Sequence, residues 1–582
     1  MVKRAIKPLC ISVICSTSIV AGYALANHQS RIIEGDMQNL PKMQVEKISE
    51  TTIPEQVQIQ TAAISETERR KIVRSWLPAQ VKPVFFDQLV SLYSSNQMQP
   101  LWQDKIAVQR FEQQLSELAL AGFQPQFGQW LTELNDAQLS QMGRDLILSD
   151  AMLGYLQFVS DVGQQGQSWL YRTMLYNSTT PYKSITAYKI VLPSSEVVDQ
   201  WQQAIIDHNV AAYVAALAPQ HPQYENMRKE MMKQLADSKP WPQLSDKSAL
   251  KPGQSSSDVA VLREILIRLG MLSELTAQAD HIYDPELVTA VKNFQRWQGL
   301  APDGVIGKRT RDWLNTSPQT RAGLIALNIQ RLRIIPSRVS TGIMVNIPDY
   351  SLHYYLNDQE VLDSKVIVGR PSRKTPIMSS VLNNVVINPP WSVPTSLARK
   401  DIAPRGLDDP GYFQRGGYVI FSNWRADASV IDPYTIDWNV ITPANFPYRI
   451  WQAPGPTNSL GRYKFNMPNS EAIYLHDTPN HNLFNKDIRA ISSGCVRINK
   501  ASELANMLLG DVGWTQNKVA NTVKQGNTVY VNIPQRIPVY LYYLTAWVDE
   551  QGIPQYRTDI YDYDNSVRQG SQFLSKLLPL QN

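Results

Sequence analysis

Cysteine is almost absent from this chain of 582 residues, which contains three: Cys10, Cys15 and Cys495. The first two lie in an apolar segment near the N-terminus. If that segment is removed, a single thiol remains, and a framework of intrachain disulfides is excluded. An unpaired thiol in an oxidising compartment is open to oxidation. Cys495 is therefore either a buried, inert residue or a reactive group that the chain uses.

The chain also lacks a strong excess of charge of either sign, because 56 Lys and Arg residues face 51 Asp and Glu residues. Three of the basic residues (Lys3, Arg4 and Lys7) lie in the N-terminal segment, which leaves 53 against 51. So small an excess does not indicate a protein that binds nucleic acid. It permits binding to an anionic wall polymer without requiring it.

Long apolar runs are absent except between Leu9 and Ala26. Basic residues precede this run, and Ala24-Leu25-Ala26 fits the small-x-small pattern of a cleavage site. The sequence predicts an export signal over residues 1–26, or an uncleaved membrane anchor with the same bounds. With either interpretation the rest of the chain crosses a membrane, and it then touches that membrane only through a possible anchor.

The remaining chain divides by composition and periodicity into several domains. We predict a multidomain fold: an α-helical scaffold domain, a small three-helix module and a mostly β catalytic domain with an inserted, lid-like subdomain. The predicted bounds are a linker over 27–70, the scaffold over 71–249, the module over 250–315, a connecting helix over 316–342, the catalytic domain over 343–535 with its insert at about 397–460, and a C-terminal strand and tail over 536–582. The arginines of the connecting helix (Arg321, Arg331 and Arg333) are expected to form a solvated face.

Residues 250–315 contain the helix-ending and turn-forming residues of a compact helical unit. Gly270 is placed to end one helix, Phe294 lies in a second, and Asp303-Gly304 forms a tight turn before Thr310 begins a third. This pattern resembles the three-helix peptidoglycan-binding module of wall hydrolases. The resemblance implies binding to peptidoglycan, although the same residues also suit a purely structural unit.

From Met344 the pattern changes to short, β-branched segments separated by turns. Strands are predicted at Met344–Ile347, Ser351–Leu356, Ser364–Val368 and Val385–Asn388, and Asn357-Asp358 fits a hairpin turn. The insert breaks this rhythm with glycine, proline and aromatic residues, which is typical of a lid over a site.

Two separated segments carry the chemistry of a thiol nucleophile. His476 ends a strand-like approach, and Cys495 follows Ser493 and Gly494 in a tight turn. A thiol at its ordinary pKa is mostly protonated at neutral pH, so a nearby base must activate it. We predict that His476 is that base, with His481 as a rival. The backbone N–H groups of Gly494 and Cys495 are predicted to face the developing oxyanion.

Three further residues are predicted to bind substrate. Arg497 is a fixed positive charge that can hold a carboxylate or steady the loop. Tyr474 lies on the same strand face as His476, and Trp391 follows two prolines. Each also has an ordinary structural interpretation, as a loop anchor or as core packing. Activation by the base predicts that Cys495 reacts with a thiol reagent faster than free cysteine.

These segments together resemble the L,D-transpeptidase catalytic domain over about residues 343–535. The matching features are Thr375-Pro376, the run Leu460-Gly461-x-x-Lys464-Phe465, His476, and Ser492-x-Gly494-Cys495-Val496-Arg497. The order of domains resembles the large periplasmic members of Gram-negative bacteria. The chain departs from many members at Ser493, where they have histidine, and at Asp477, where they often have glycine. The oxyanion role of the missing histidine then falls to backbone groups or to Ser493.

The resemblance implies a defined reaction that needs neither a metal nor an organic cofactor. Cys495 attacks the bond after the third residue of a donor tetrapeptide stem, and the amine of diaminopimelate on an acceptor stem resolves the thioester. Carbapenems acylate members of this family, and other wall synthases are candidate partners. Water as acceptor would make the protein an L,D-carboxypeptidase, and a lipoprotein as acceptor would make it an attaching transferase. A non-catalytic wall-binding scaffold is the alternative from another class.

Overall fold

The computed structural model describes residues 65–171, 190–273, 281–442 and 444–574. The predicted signal or anchor over residues 1–26, and the predicted linker up to residue 64, lie outside the described residues. Across the described ranges, no helix combines the length and the apolar character needed to cross a bilayer.

The N-terminal part of the described chain is helical, as the sequence predicts. Helix α3 shows why: Asp104 accepts hydrogen bonds from the N–H groups of Ile106 and Ala107, and Gly122 ends the helix at a φ of 71°. Helix α1 begins at Glu66, inside the range predicted as linker. The bounds are α1 Glu66–Ser75, α2 Phe86–Ser95, α3 Lys105–Ala121, α4 Pro125–Leu134, α5 Gln141–Tyr171 with a kink at Gln165, α6 Ser195–Ile206, α7 Val210–Ala216 and α8 Tyr224–Ala236.

The small module consists of α9 Asp258–Arg268, α10 Pro285–Trp297 and α11 Lys308–Leu314. Its apolar side chains form a core of their own, which includes Leu262 and Phe294. Gly270 and Gly304 have φ values of 70° and 77°, which glycine adopts without strain. The predicted helix end and the predicted turn are therefore confirmed.

The connecting helix, α12 Pro318–Arg331, is buried against the scaffold helices α3 and α8 and against the segment Ala546–Val548. The expected solvated face is wrong for Arg321 and Arg331, whose side chains are fully buried. Arg321 stacks over the rings of Trp297, Trp313 and Tyr556. Arg331 forms an ion pair with Asp564 at 2.8 Å. Aromatic faces and a buried carboxylate compensate both charges, so these arginines can leave solvent.

The catalytic domain is built on one large sheet. Its strand order is β11-β3-β12-β10-β9-β4-β13-β1-β2, and β2 also pairs with β3, so the sheet closes on itself. The bounds are β1 Gly342–Asn346, β2 Ser351–Leu356, β3 Gln359–Gly369, β4 Met378–Ile387, β9 Tyr463–Asn466, β10 Leu475–His476, β11 Ala490–Ser492, β12 Val496–Ile498 and β13 Val529–Tyr542. Helices α16 Ala501–Gly510 and α17 Gln516–Gln525 follow β12.

The predicted strands in the first half of this domain are present. Strand β2 has the predicted ends, and β1, β3 and β4 have shifted ends. Asn357 and Asp358 both have positive φ and join β2 to β3, as the hairpin prediction requires. The predicted domain end at 535 falls inside β13, which pairs with β1 and β4. A register shift between Asn532 and Ile537 bends this strand without ending it. A second ribbon, β14 Ala546–Val548 with β15 Pro554–Tyr556, and helix α18 Val567–Gly570 complete the described chain.

The insert is a separate packing unit. Its elements are β5 Trp391–Ser392, α13 Thr395–Leu397, α14 Pro404–Asp408, α15 Gly411–Arg415, β6 Tyr418–Phe421, β7 Val430–Ile431 and β8 Arg449–Gln452. These strands form a small sheet in the order β5-β8-β6-β7. Its core runs from Val393 to Ile450 and is distinct from the core of the large sheet.

Candidate functional site

Three neighbouring strands carry a row of polar side chains on one face of the large sheet. Lys464 on β9 pairs with His476 on β10, and His476 pairs with Arg497 on β12. Residues on either side of each, such as Phe465, Leu475 and Val496, are fully buried on the opposite face. Because side chains alternate along a strand, Tyr474 lies on the same face as His476. Two cations therefore flank the predicted base.

The turn between β11 and β12 presents Cys495 beside this row. The hydroxyl of Ser492 accepts from the N–H of Gly494 at 3.1 Å and donates to the carbonyl of Cys495 at 2.6 Å, which fixes the turn. Gly494 has a φ of 123°, a conformation that favours glycine. The thiol lies 3.9 Å from the carbonyl oxygen of Ala472.

Gly494 contributes to the shape of the turn rather than to the cavity surface. Its N–H is engaged by Ser492, and its carbonyl accepts from the Thr375 hydroxyl at 2.7 Å. The predicted role of the Gly494 N–H in an oxyanion site therefore conflicts with its observed hydrogen bond. The N–H of Cys495 is the remaining backbone group of that prediction.

His476 is held in one tautomer. Its Nδ1 lies 2.6 Å from the carbonyl oxygen of Asp477. A carbonyl accepts and never donates, so Nδ1 carries the hydrogen and Nε2 keeps the free lone pair. Burial, followed by the charges of Arg497 and Lys464, lowers the pKa of His476 to about 3. At neutral pH the imidazole is uncharged and can take a proton.

Cys495 is also uncharged in the free protein. Burial raises the pKa of its thiol, while Tyr474, Lys464 and Arg497 act in the opposite direction. A raised pKa lowers the fraction of thiolate at neutral pH, so it does not favour the predicted thiol that reacts faster than free cysteine. In such a site a neutral imidazole can take the proton of a neutral thiol as a substrate is attacked. Nearby cations can stabilise the thiolate that forms.

Replacing Lys464 with methionine should raise the thiol pKa further, because it removes a cation while keeping the length of the side chain. The rate of alkylation of Cys495 by iodoacetamide, measured from pH 6 to pH 11, reports that pKa. We expect the profile to shift toward alkaline pH relative to that of the native chain. The matched control, Lys464→Arg, keeps the charge and should leave the profile nearly unchanged. Identical profiles for Lys464→Met and the native chain would contradict the electrostatic role.

A cavity of about 760 Å³ surrounds the thiol, and the insert forms one of its walls. Of the residues predicted from sequence, those that line it are Cys495, His476, Ser493, Arg497, Tyr474 and Trp391. Ser493 is exposed and accepts a hydrogen bond from Arg373 at 3.2 Å. The rival base His481 does not line the cavity and pairs with Asp477 at 3.2 Å.

Sequence analysis named Thr375 only as part of a motif, without a role, and missed Tyr561, Arg370 and Arg373. Thr375 donates to Gly494 and accepts from the N–H of Gly369 at 2.8 Å, and its own N–H donates to the Tyr561 hydroxyl at 3.0 Å. Tyr561 in turn donates to the carbonyl of Gly369 at 2.6 Å, so the C-terminal segment braces the nucleophile turn. Arg370 and Arg373 line the cavity as well. The basic residues before Thr375-Pro376 were the one sequence feature that could have indicated Arg370 and Arg373 as site residues.

Among the described residues, no group of three or more His, Cys, Asp or Glu side chains is placed to hold a metal ion.

Three family models match parts of this chain. Residues 340–531 match the family model of the L,D-transpeptidase catalytic domain, residues 87–231 match a scaffold domain, and residues 255–314 match a peptidoglycan-binding domain. A Haemophilus influenzae protein named "Putative L,D-transpeptidase" is 30% identical over 572 residues, which cover 97% of this chain and 95% of that protein. A crystal structure of an L,D-transpeptidase from Xylanimonas cellulosilytica aligns over 52% of this chain and 100% of its own, at 14% identity and a TM-score of 0.16.

Proposed function

Because this chain belongs to the L,D-transpeptidase family, we propose that it cross-links peptidoglycan stems through a thioester on Cys495. The observation that carries this proposal is the placement of a thiol and a neutral, tautomer-fixed imidazole in one cavity of about 760 Å³. A cavity of this size accommodates a short peptide. A non-catalytic scaffold has no need for such a pair.

In the first step, the sulfur of Cys495 attacks the carbonyl that follows the third residue of a tetrapeptide stem. Nε2 of His476 takes the thiol proton as the carbon–sulfur bond forms. The carbonyl oxygen becomes an oxyanion near the Cys495 N–H. His476 then donates the proton to the departing amine, the carbon–nitrogen bond breaks and D-alanine leaves.

In the second step, the side-chain amine of diaminopimelate on a neighbouring stem attacks the thioester. His476 removes a proton from that amine, and the thiol of Cys495 is released. The product joins the third residues of two stems. Water at the same position would give a tripeptide, and a lipoprotein amine would give an attached lipoprotein, so the acceptor decides between these activities.

The other domains fit a protein of the cell wall. The module that matches a peptidoglycan-binding domain can hold the glycan strand while the catalytic domain acts on its stems. We propose the periplasm as the site of action, with carbapenems as acylating inhibitors of Cys495. Contact with other wall synthases remains a prediction from the resemblance.

Intact-mass spectrometry with defined donors tests the first step. A tetrapeptide stem should add the mass of a tripeptide acyl group to the protein and release one D-alanine. Hydroxylamine should remove the adduct, because thioesters react with it readily. A pentapeptide stem is the matched control, and it should give no adduct of four residues. An adduct of four residues would indicate cleavage between two D-centres and would contradict the proposal.

A further inference from the structure

Two arginines beside the nucleophile converge on a single carboxylate that belongs to the insert. Arg370 directly follows β3, and Arg373 ends the short turn Pro371–Arg373. Nη2 of Arg370 lies 3.3 and 3.4 Å from the two carboxylate oxygens of Asp401. Arg373 contacts the same carboxylate through both of its terminal nitrogens, one of them at 3.3 Å.

This cluster is close to the reacting group. Arg373 also donates to the hydroxyl of Ser493, two residues before Cys495. Arg370, Arg373 and Asp401 all line the cavity that contains the thiol. A carboxylate bound by Arg370 and Arg373 therefore lies in the same cavity as the sulfur of Cys495.

We propose that Arg370 and Arg373 form a binding subsite for a carboxylate of the stem peptide, and that Asp401 occupies this subsite in the free protein. The proposal rests on the proposed function, since it assigns the part of the peptide that this end of the cavity binds. The paired forks of two guanidinium groups match carboxylate geometry.

One unused donor supports a ligand at this position. Nε of Arg370 is buried and has no hydrogen-bond partner among the described residues. A buried donor without an acceptor is destabilising. A second carboxylate at the subsite would supply the missing acceptor.

Asp401 can be displaced. Its side chain is 36% exposed, and that of Arg370 is 38% exposed, so solvent screens the pair. Asp401 lies in the segment Ala398–Ile402, whose apolar residues pack into the separate core of the insert. Loss of the ion pair therefore leaves that core intact.

The charges of the cavity favour an anionic peptide. Its lining contains five cations (Arg370, Arg373, Lys400, Arg405 and Arg497) and three carboxylates (Asp401, Asp408 and Glu471). Arg497 is the other candidate for a carboxylate. It pairs with His476 on one side and with Ile367 on the other, and its charge acts on the thiol. We therefore assign Arg497 to stabilising the thiolate of Cys495 and not to binding a substrate carboxylate.

Two carboxylates of the donor stem have the required chemistry. One is the C-terminal carboxylate of D-alanine, and the other is the free carboxylate at the D-centre of diaminopimelate. Donors amidated at one position or the other distinguish them. The carboxylate whose amidation lowers the turnover of the donor more is the one that the subsite binds.

Steady-state kinetics of D-alanine release from the acid and from the two amidated donors test the proposal. The native chain should prefer the acid over one amide by about tenfold or more in kcat/KM. Arg373→Gln and Arg370→Gln should reduce this preference to about twofold, mainly through KM for the acid. Arg405→Gln is the matched control and should keep the preference, because Arg405 lines the cavity without contacting Asp401.

Asp401→Asn provides an independent arm. Removing the competing charge while keeping the shape should lower KM for the acid donor by about two- to fivefold. Equal losses on acid and amidated donors in the arginine variants, or an unchanged acid preference, would overturn the subsite. In that case, turnover of amidated donors would still support the proposed function. If the native chain were inactive on every donor, the proposed function would be contradicted, and the proposed subsite with it.

Discussion

Replacing Cys495 with alanine should abolish release of D-alanine from a tetrapeptide donor, with a loss of about 10⁴-fold or more in kcat/KM. The sulfur is the atom that carries the acyl group between the two steps, and no neighbouring side chain can replace it. Lys464 and Arg497 are cations, and Tyr474 is held protonated because burial raises the pKa of its hydroxyl far above the usual range. Intact mass should show no adduct.

Cys495→Ser is the matched control for that experiment. It keeps a nucleophilic atom at the same position, but a hydroxyl has a much higher pKa than a thiol, so acylation should remain slow. Both variants should unfold at nearly the temperature of the native chain, because the side chain is small and partly exposed. Native-like turnover by Cys495→Ala would mean that another group is the nucleophile.

Replacing His476 with glutamine should slow acylation by about 10²- to 10⁴-fold at neutral pH. Glutamine keeps a polar side chain near the same volume but cannot accept the thiol proton. The matched control is His481→Gln, five residues on, which should change the rate by less than about twofold because His481 pairs with Asp477 outside the cavity. Single-turnover mass spectrometry measures both rates.

The pH dependence of the native enzyme follows from the same histidine. The pKa of His476 is lowered to about 3, so the base is uncharged throughout the range above pH 5. The rate of acylation should not fall through protonation of this base between pH 8 and pH 5. A loss of activity with a midpoint near 6.5, absent from His476→Gln, would contradict a neutral, buried base.

Local features of the fold could be predicted from the sequence because short-range chemistry determines them. The Asn357-Asp358 hairpin and the end of a helix at Gly270 depend on backbone conformations available to those residues. The burial of Arg321 and Arg331 could not be predicted, since it depends on Tyr556 and Asp564, which lie far along the chain. The sequence of the connecting helix by itself does not indicate which distant residues will pack against its arginines.

The nucleophile and its base could be named from their motifs, but their protonation could not. The neutral state of His476 depends first on its burial and then on the strand register, which places Lys464 and Arg497 on either side of it. The brace behind the thiol depends on Tyr561, which reaches Thr375 and Gly369 from the C-terminal segment. Neither contact leaves a periodic signal in the sequence.

The departures from the family pattern have local explanations. Asp477 stands where many members have glycine, and its carboxylate accepts from the N–H of Arg462 at 2.8 Å. A side chain at Gly461 would collide with Asp477, so the two positions depend on each other. Ser493 stands where many members have histidine, and Arg373 contacts it. The oxyanion role expected of that histidine stays a prediction for the Cys495 N–H or for Ser493.

The central claim is that Cys495 joins two stems through their third residues. The most direct test incubates residues 27–582 with tetrapeptide muropeptides and analyses the products by tandem mass spectrometry beside the Cys495→Ala protein. We predict dimers that lack one D-alanine and are linked between two third-position residues, absent with the variant. Monomeric tripeptide as the sole product would show a carboxypeptidase, and unchanged muropeptides with both proteins would contradict the account.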